Sequence, residues 1–153
     1  MTDTISKDQR SANMRAVRTR HTEPEMRVRR IAHRLGYRFR LHRSDLPGKP
    51  DLAFPIQRKV IFVHGCFWHQ HPGCRRGSAP HSNVAFWRPK LARNKSRDAE
   101  QLAAVKRRGW RTLIVWECQT RDEKRLAARL SRFLLDDAMQ KKSAKSRKSP
   151  GPK

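Results

Sequence analysis

Apolar positions recur along this chain in two periods, helical and strand-like, and the two kinds of segment succeed one another. Val28, Ile31, Ala32 and Leu35 are spaced for one face of a helix, and Gly36 closes the run. Thr22 and Glu25 stand ahead of it at capping-box spacing, with Pro24 suited to the first turn. In Tyr37–Leu41 two arginines alternate with apolar residues, the pattern of a half-buried strand. Leu46-Pro47-Gly48-Lys49-Pro50 reads as a turn, and Asp51-Leu52-Ala53-Phe54 begins a second strand. Lys59–Val63 is a nearly continuous apolar run, as expected of a strand covered on both faces. Residues 64–86, rich in His, Cys, Gly and Pro, read as a long loop, and such a loop in a compact domain calls for a staple or a function. A second helix is predicted over Trp87–Arg108, with Leu91, Leu102 and Val105 inside and Gly109 as its stop. Thr112–Trp116 is a buried strand. Thr120 and Glu123 again have capping-box spacing before a last helix carrying Leu126, Leu130, Phe133 and Leu134. Helix, three strands, helix, strand, helix describes an α/β domain with a mixed central sheet flanked by helices.

The flanks differ in composition. Residues 1–21 are polar and basic, and read as an arm with a short helix around Gln9–Arg18. After Met139 the chain turns to Lys, Ser, Pro and Gly, with six basic residues and no acidic one. The expectation is one domain over residues 1–138 and a disordered basic tail over 139–153. The whole chain has 37 Lys and Arg against 13 Asp and Glu, a formal charge of +24. Without the tail the surplus is still about +18, so the body itself is basic. Such a charge repels itself unless a polyanion is near, and nucleic acid is the commonest one. On charge alone a ribosomal or nucleoid protein fits equally well. No run approaches the roughly 18 apolar residues of a membrane span, and the opening MTDTISKDQR lacks a signal peptide's apolar stretch. The expected location is therefore the cytoplasm.

Three cysteines in a reducing compartment point to metal or free thiols rather than disulfides. Cys66, His69, His71 and Cys74 lie within nine residues, and Cys118 follows the strand at 112–117. Zinc takes four N or S ligands in a tetrahedron, so five candidates compete for four places. A full protein shell would make the ion structural, a staple for the 64–86 loop. Asp51 stands where a turn enters a strand, a good place for a Mg²⁺ carboxylate. His64 and His69 are the available imidazoles, the side chain type best suited to act as a base near neutral pH in hydrolysis. Each also has a plainer reading: Asp51 as a turn residue, His64 as a strand end, Glu25 as half of a capping box. Asn94 and Asp98, four apart, fit a solvated helix face.

Several blocks carry a resemblance. They are Arg10-Ser11-Ala12-Asn13-Met14-Arg15, Gly48-Lys49-Pro50-Asp51, Val60 through His69 with its His-Gly-Cys-Phe-Trp-His run, and Leu113-Ile114-Val115-Trp116-Glu117-Cys118. From about residue 8 to about 135 the chain resembles the very-short-patch-repair (Vsr) DNA mismatch endonucleases. That family belongs to the restriction-endonuclease-like superfamily, with an altered second half of the PD-(D/E)xK motif. The resemblance implies a Mg²⁺-dependent strand nick on the 5′ side of the T in a T·G mismatch, the product of 5-methylcytosine deamination. Double-stranded DNA would be the partner, the active species a monomer located at the nucleoid when bound, and a repair polymerase and mismatch-repair proteins would follow.

Residue roles come with it. Asp51 would hold Mg²⁺ together with the backbone carbonyl of Val63, and His69 would activate the attacking water. His64 would assist near the phosphate, Asp98 by hydrogen bonding, and Glu25 by holding water at the metal. Zinc would fall to Cys66, His71, Cys74 and Cys118. Phe67, Trp68 and Trp87 look like the family's aromatic wedge, which unstacks base steps most cheaply at a mismatch. Met14 would enter from the other groove, and Lys90 and Asn94 would face the mismatched pair. Two stretches depart from the pattern. Pro72-Gly73 makes the segment before Cys74 a residue longer, and Arg75–Val84 aligns with nothing securely. Two rivals remain: a sequence-specific endonuclease of the same fold, and a non-catalytic zinc-stapled DNA-binding protein.

Overall fold

The computed structural model describes residues 22–147, with side chains described through residue 135. The predicted N-terminal arm, its helix and Met14 lie outside the described residues, as do residues 148–153. The elements are α1 (Glu23–Arg34), β1 (Arg40–Leu41), β2 (Leu52–Phe54), β3 (Lys59–His64), α2 (Val84–Arg107), β4 (Arg111–Trp116) and α3 (Glu123–Arg147). Short 3-10 turns occupy Arg75–Gly77 and Glu117–Thr120.

The strands form one sheet in the order β1-β2-β3-β4. The first three are antiparallel, and β4 lies parallel to β3, in register Lys59↔Arg111 through His64↔Trp116. A parallel pair needs a crossover, and α2 supplies it. Strand residues alternate between faces. Leu52, Phe54, Ile61 and Val115 pack with Val28, Ile31 and Ala32 of α1 and Leu126, Leu130 and Leu134 of α3. Ala53, Val60 and Phe62 pack on the other side with Val105 of α2 and Leu46. By the same alternation Asp51 and His64, at the ends of β2 and β3, continue the α2 face.

Some boundaries differ from the expectation. The Tyr37–Leu41 alternation is real, since Tyr37 and Phe39 both set their rings edge-on to Phe54. Only Arg40–Leu41 joins the ladder, because β2 is three residues long and offers few partners. Leu35 is the C-cap of α1 and is exposed, so it is not part of the buried face. Helix α2 begins at Val84 rather than Trp87. The side chain that caps α3 is Asp122, whose Oδ1 accepts from the Arg125 N–H at 3.2 Å. Thr120, expected there, is buried and donates its hydroxyl to the Glu117 carbonyl at 2.7 Å. The backbone of α3 stays helical to Arg147, past the Met139 where the sequence reading places the start of a disordered tail. Lys59, in an otherwise apolar strand, is fully buried and donates to the Phe133 carbonyl of α3.

Candidate active site and metal centre

One pocket opens at the end of the sheet on its α2 side. Its lining includes Asp51, Val63, His64, His69 and Asp98, together with His42 and Lys49. Gly48 (φ +75°) makes the turn that brings Lys49 and Asp51 to this rim. A Cβ at residue 48 would lie 3.0 Å from the Gln101 side chain on α2, so the close approach also favours glycine. Asp51 Oδ2 accepts the Val63 N–H at 2.7 Å, which ties the two strand ends together. The Val63 side chain points to the opposite face of the sheet, so only its backbone faces Asp51.

Glu25 reaches the same place from α1. Its backbone N–H meets the Thr22 hydroxyl at 3.4 Å, which is the expected cap. Its side chain does not complete a capping box. It is 2% exposed, paired with Arg29 Nη2 at 2.9 Å, and hydrogen-bonded to His42 Nε2. His42 Nε2 also lies 3.9 Å from Asp51 Oδ1. Burial, with the neighbouring Glu25 charge, pushes the Asp51 carboxyl up to about 7. Burial acts the same way on Glu25, but hydrogen bonding and the charges of His42 and Arg29 outweigh it and hold Glu25 below its ordinary value. Two adjacent carboxylates, one resisting ionisation, form a set of hard oxygen donors that a divalent cation would relieve. The residues therefore fit a divalent metal.

Opposite them, His69 Nδ1 meets Asp98 Oδ2 of α2 at 2.5 Å. With Nδ1 engaged by the Asp98 carboxylate, Nε2 is the ring atom left to face the pocket as a base. His64 lies flat on His69, ring centroids 3.9 Å apart and planes 9° from parallel. Burial, then the charge of His69, lowers the His64 pKa to about 4, so it stays neutral near pH 7. His64 is 6% exposed, and its buried Nδ1 has no hydrogen-bond partner among the described residues.

Two residues beyond His64 a second cluster begins. Cys66, His71, Cys74 and Cys118 bring one donor atom each to within 4.8 Å of one another. Cys66 Sγ and Cys118 Sγ lie 3.8 and 3.4 Å from His71 Nδ1. Bond lengths of about 2.3 Å to sulfur and 2.0–2.1 Å to nitrogen in a tetrahedron put S···N edges at roughly 3.6 Å, so the cluster fits zinc. His69 points the other way, into the pocket, which removes the fifth candidate. Gly73, just before Cys74, takes φ +71°, a conformation that favours glycine. Burial pushes the Cys66 thiol up to about 11, whereas the Arg76 N–H holds Cys74 below its ordinary value. The unaligned stretch packs here too: at Gly77 a Cβ would fall 2.3 Å from the His71 carbonyl, so no larger residue fits.

Phe67, Trp68 and Trp87 form a mutual cluster beside the pocket, with ring centroids 5.1–5.9 Å apart. Phe86, 45% exposed, joins through Trp87. Lys90 Nζ sits 5.6 Å above the Trp68 ring. The Asn94 amide donates to the Trp68 carbonyl at 3.1 Å, so its first partner is the loop. Sequence reading passed over His42, and also Trp116, whose ring stacks on His71 at 4.3 Å and meets His64 edge-on at 5.3 Å.

Comparison with known proteins agrees with this arrangement. The family described as DNA mismatch endonuclease Vsr matches residues 2–76. The type II nicking enzyme V.XorIIP of Xanthomonas oryzae pv. oryzae is 50% identical over 134 residues, 88% of this chain and 98% of that one. The DNA mismatch endonuclease Vsr of Escherichia coli is 41% identical over 126 residues, 82% and 80% of the two chains. Among solved structures, the catalytic domain of the homing endonuclease I-Bth0305I superposes with a TM-score of 0.53 at 17% identity, over 75% of this chain and 96% of that one, a likeness of fold alone. A sheet carrying carboxylates and paired imidazoles at one end, on a chain this similar to named nicking enzymes, is a DNA endonuclease, and the chain belongs to the Vsr family.

Proposed function

We propose that this endonuclease nicks the T-containing strand of a T·G mismatch on the 5′ side of the T, with Mg²⁺ at Asp51 and a structural zinc on Cys66, His71, Cys74 and Cys118. The observation that carries the reading is the adjacency of Trp68 and His69. They are consecutive in the chain, and Trp68 joins the aromatic cluster while His69 enters the carboxylate pocket. A ring inserted at a weakened base step would therefore fix where the base stands relative to the backbone.

Bound Mg²⁺ would supply Lewis acidity to the phosphate oxygens. Asp51 and the Val63 carbonyl would hold it, and Glu25 would orient water on its α1 side. His69 takes a proton from the attacking water at Nε2, because Nδ1 is committed to Asp98. Asp98 fixes that tautomer and favours the imidazolium that results. His64 stays neutral and holds the His69 ring in plane by stacking. Lys49, on the rim, brings positive charge to the phosphate. Phe67, Trp68 and Trp87 would enter the duplex, with Lys90 and Asn94 beside the mismatched pair and Met14 in the opposite groove. The zinc would pin the turn that carries both wedge and base.

A second reading is favoured by one fact: V.XorIIP is named a type II nicking enzyme. A sequence-defined nick in paired DNA would follow from it. Strand-labelled duplexes that differ only in T·G against T·A separate the two. A preference for T·G that Trp68→Ala lowers at least tenfold supports the wedge. Equal cutting of both duplexes, or discrimination unchanged in Trp68→Ala, refutes it.

A further inference from the structure

The scheme above gives His42 no part, yet the fold brings it into the pocket. It follows β1 and takes φ +46°, a left-handed conformation that a residue with a Cβ adopts at a cost. Its backbone N–H meets the Asp51 carbonyl at 3.3 Å, which holds the turn against β2. The imidazole is thereby directed inward, and its side chain is 13% exposed. Glu25, His42 and Asp51 each offer one donor atom, and these atoms lie within 4.8 Å of one another. Arg29 holds the second oxygen of Glu25, so that carboxylate too is aimed.

We propose that His42 is a direct nitrogen ligand of the catalytic divalent ion, and that it shifts the pocket's preference from Mg²⁺ toward Mn²⁺ and Co²⁺. The inference rests on the reading of Asp51 as the ion's anchor. Mg²⁺ takes oxygen ligands and keeps its waters, whereas imidazole suits transition ions. Asp51 and the Val63 carbonyl alone would form an all-oxygen site. An imidazole within 4.8 Å of both carboxylates changes its class. At Nε2 the ion would take the place of the proton that His42 shares with Glu25, and the two carboxylates would balance its charge.

The probe is Mn²⁺ itself, added to the full-length protein with its cysteine site loaded with zinc. The free-ion signal in electron paramagnetic resonance gives the affinity. Spin-echo modulation detects nitrogen bound directly to the ion. Wild type and His69→Ala should both show nitrogen modulation, which excludes the neighbouring imidazole as its source. His42→Gln should lose it and bind Mn²⁺ about tenfold or more weakly. Its preference for Mn²⁺ over Mg²⁺, measured by competition, should fall with it. Bound Mn²⁺ without nitrogen modulation in the wild type overturns the proposal and leaves the Asp51 reading standing. Modulation that persists in His42→Gln also overturns it. No Mn²⁺ binding at the pocket overturns both.

Discussion

Asp51→Asn should make the metal-free protein more stable at pH 8 while abolishing its nuclease activity. The amide is close in shape to the carboxyl, and its oxygen can still accept the Val63 N–H, which Asp51 binds at 2.7 Å. What it removes is a charge in an unfavourable place. The Asp51 carboxyl is pushed from 3.8 up to about 7 by burial and by Glu25. Between those values the native state keeps a proton that the unfolded state has lost. Stability therefore falls as pH rises through that window, the reverse of a salt-bridged carboxylate. At about 1.4 kcal/mol per pH unit the full window is worth up to ~4 kcal/mol, an upper bound because one side of the pocket is open to water. The variant should gain up to that amount at pH 8, and the gain should shrink by ~3 kcal/mol at pH 5, where native Asp51 is itself neutral. Urea unfolding followed by Trp fluorescence, with zinc retained and Mg²⁺ omitted, measures it. A variant less stable than wild type at pH 8, or a difference that does not change between pH 5 and 8, refutes the reasoning.

Three further outcomes follow from the same geometry. Cys118→Ser should lose zinc on dialysis against a chelator and unfold more than ten degrees lower, since a structural zinc contributes on the order of 10 kcal/mol of folding energy in small domains; one zinc per chain retained through dialysis contradicts the ligand set. Because the proton on Asp51 competes with the cation, the Mg²⁺ concentration for half-maximal nicking should rise about tenfold per pH unit below 7; a flat requirement between pH 6 and 8 counts against Asp51 as the anchor. Deleting residues 140–153, with their six basic residues, should flatten the salt dependence of DNA binding by up to about 5 in log–log slope and leave the cut position unchanged; a shifted cut shows that the tail does more than attract the backbone.

The hydrophobic periods carried the fold a long way, because this sheet is covered on both faces and β3 and β4 have few polar positions. They misplaced features set by single side chains. Asp122 outcompetes Thr120 as the cap of α3 because its carboxylate meets the Arg125 N–H, whereas Thr120 turns back to Glu117. Capping-box spacing marks Glu25 as a helix start, and the first half of that box is real. The second half fails because a buried Glu with His42 and Arg29 beside it has better partners than a backbone N–H. His42 carries no signal in the sequence at all: a lone histidine beyond a short strand has no spacing partner. Only the left-handed turn, closed on the Asp51 carbonyl, makes it part of the site. The dense Cys/His run was legible as a metal motif; its spacing left five candidates, the resemblance pointed to four of them, and the fold gives the reason, since His69 and His71 belong to separate clusters. Trp116 was legible only as a strand residue. Its position between His71 and His64 depends on the parallel pairing His64↔Trp116.

The Asp51 pocket is proposed to cut and the neighbouring rings to select a mismatch. End-labelled duplexes, one with a single T·G pair and one fully paired, incubated with Mg²⁺ and either wild-type protein or Asp51→Asn, test it most directly. One nick, 5′ to the T, is expected on the mismatched duplex alone, and none with the variant. Cutting of both duplexes, or cutting that survives Asp51→Asn, contradicts it.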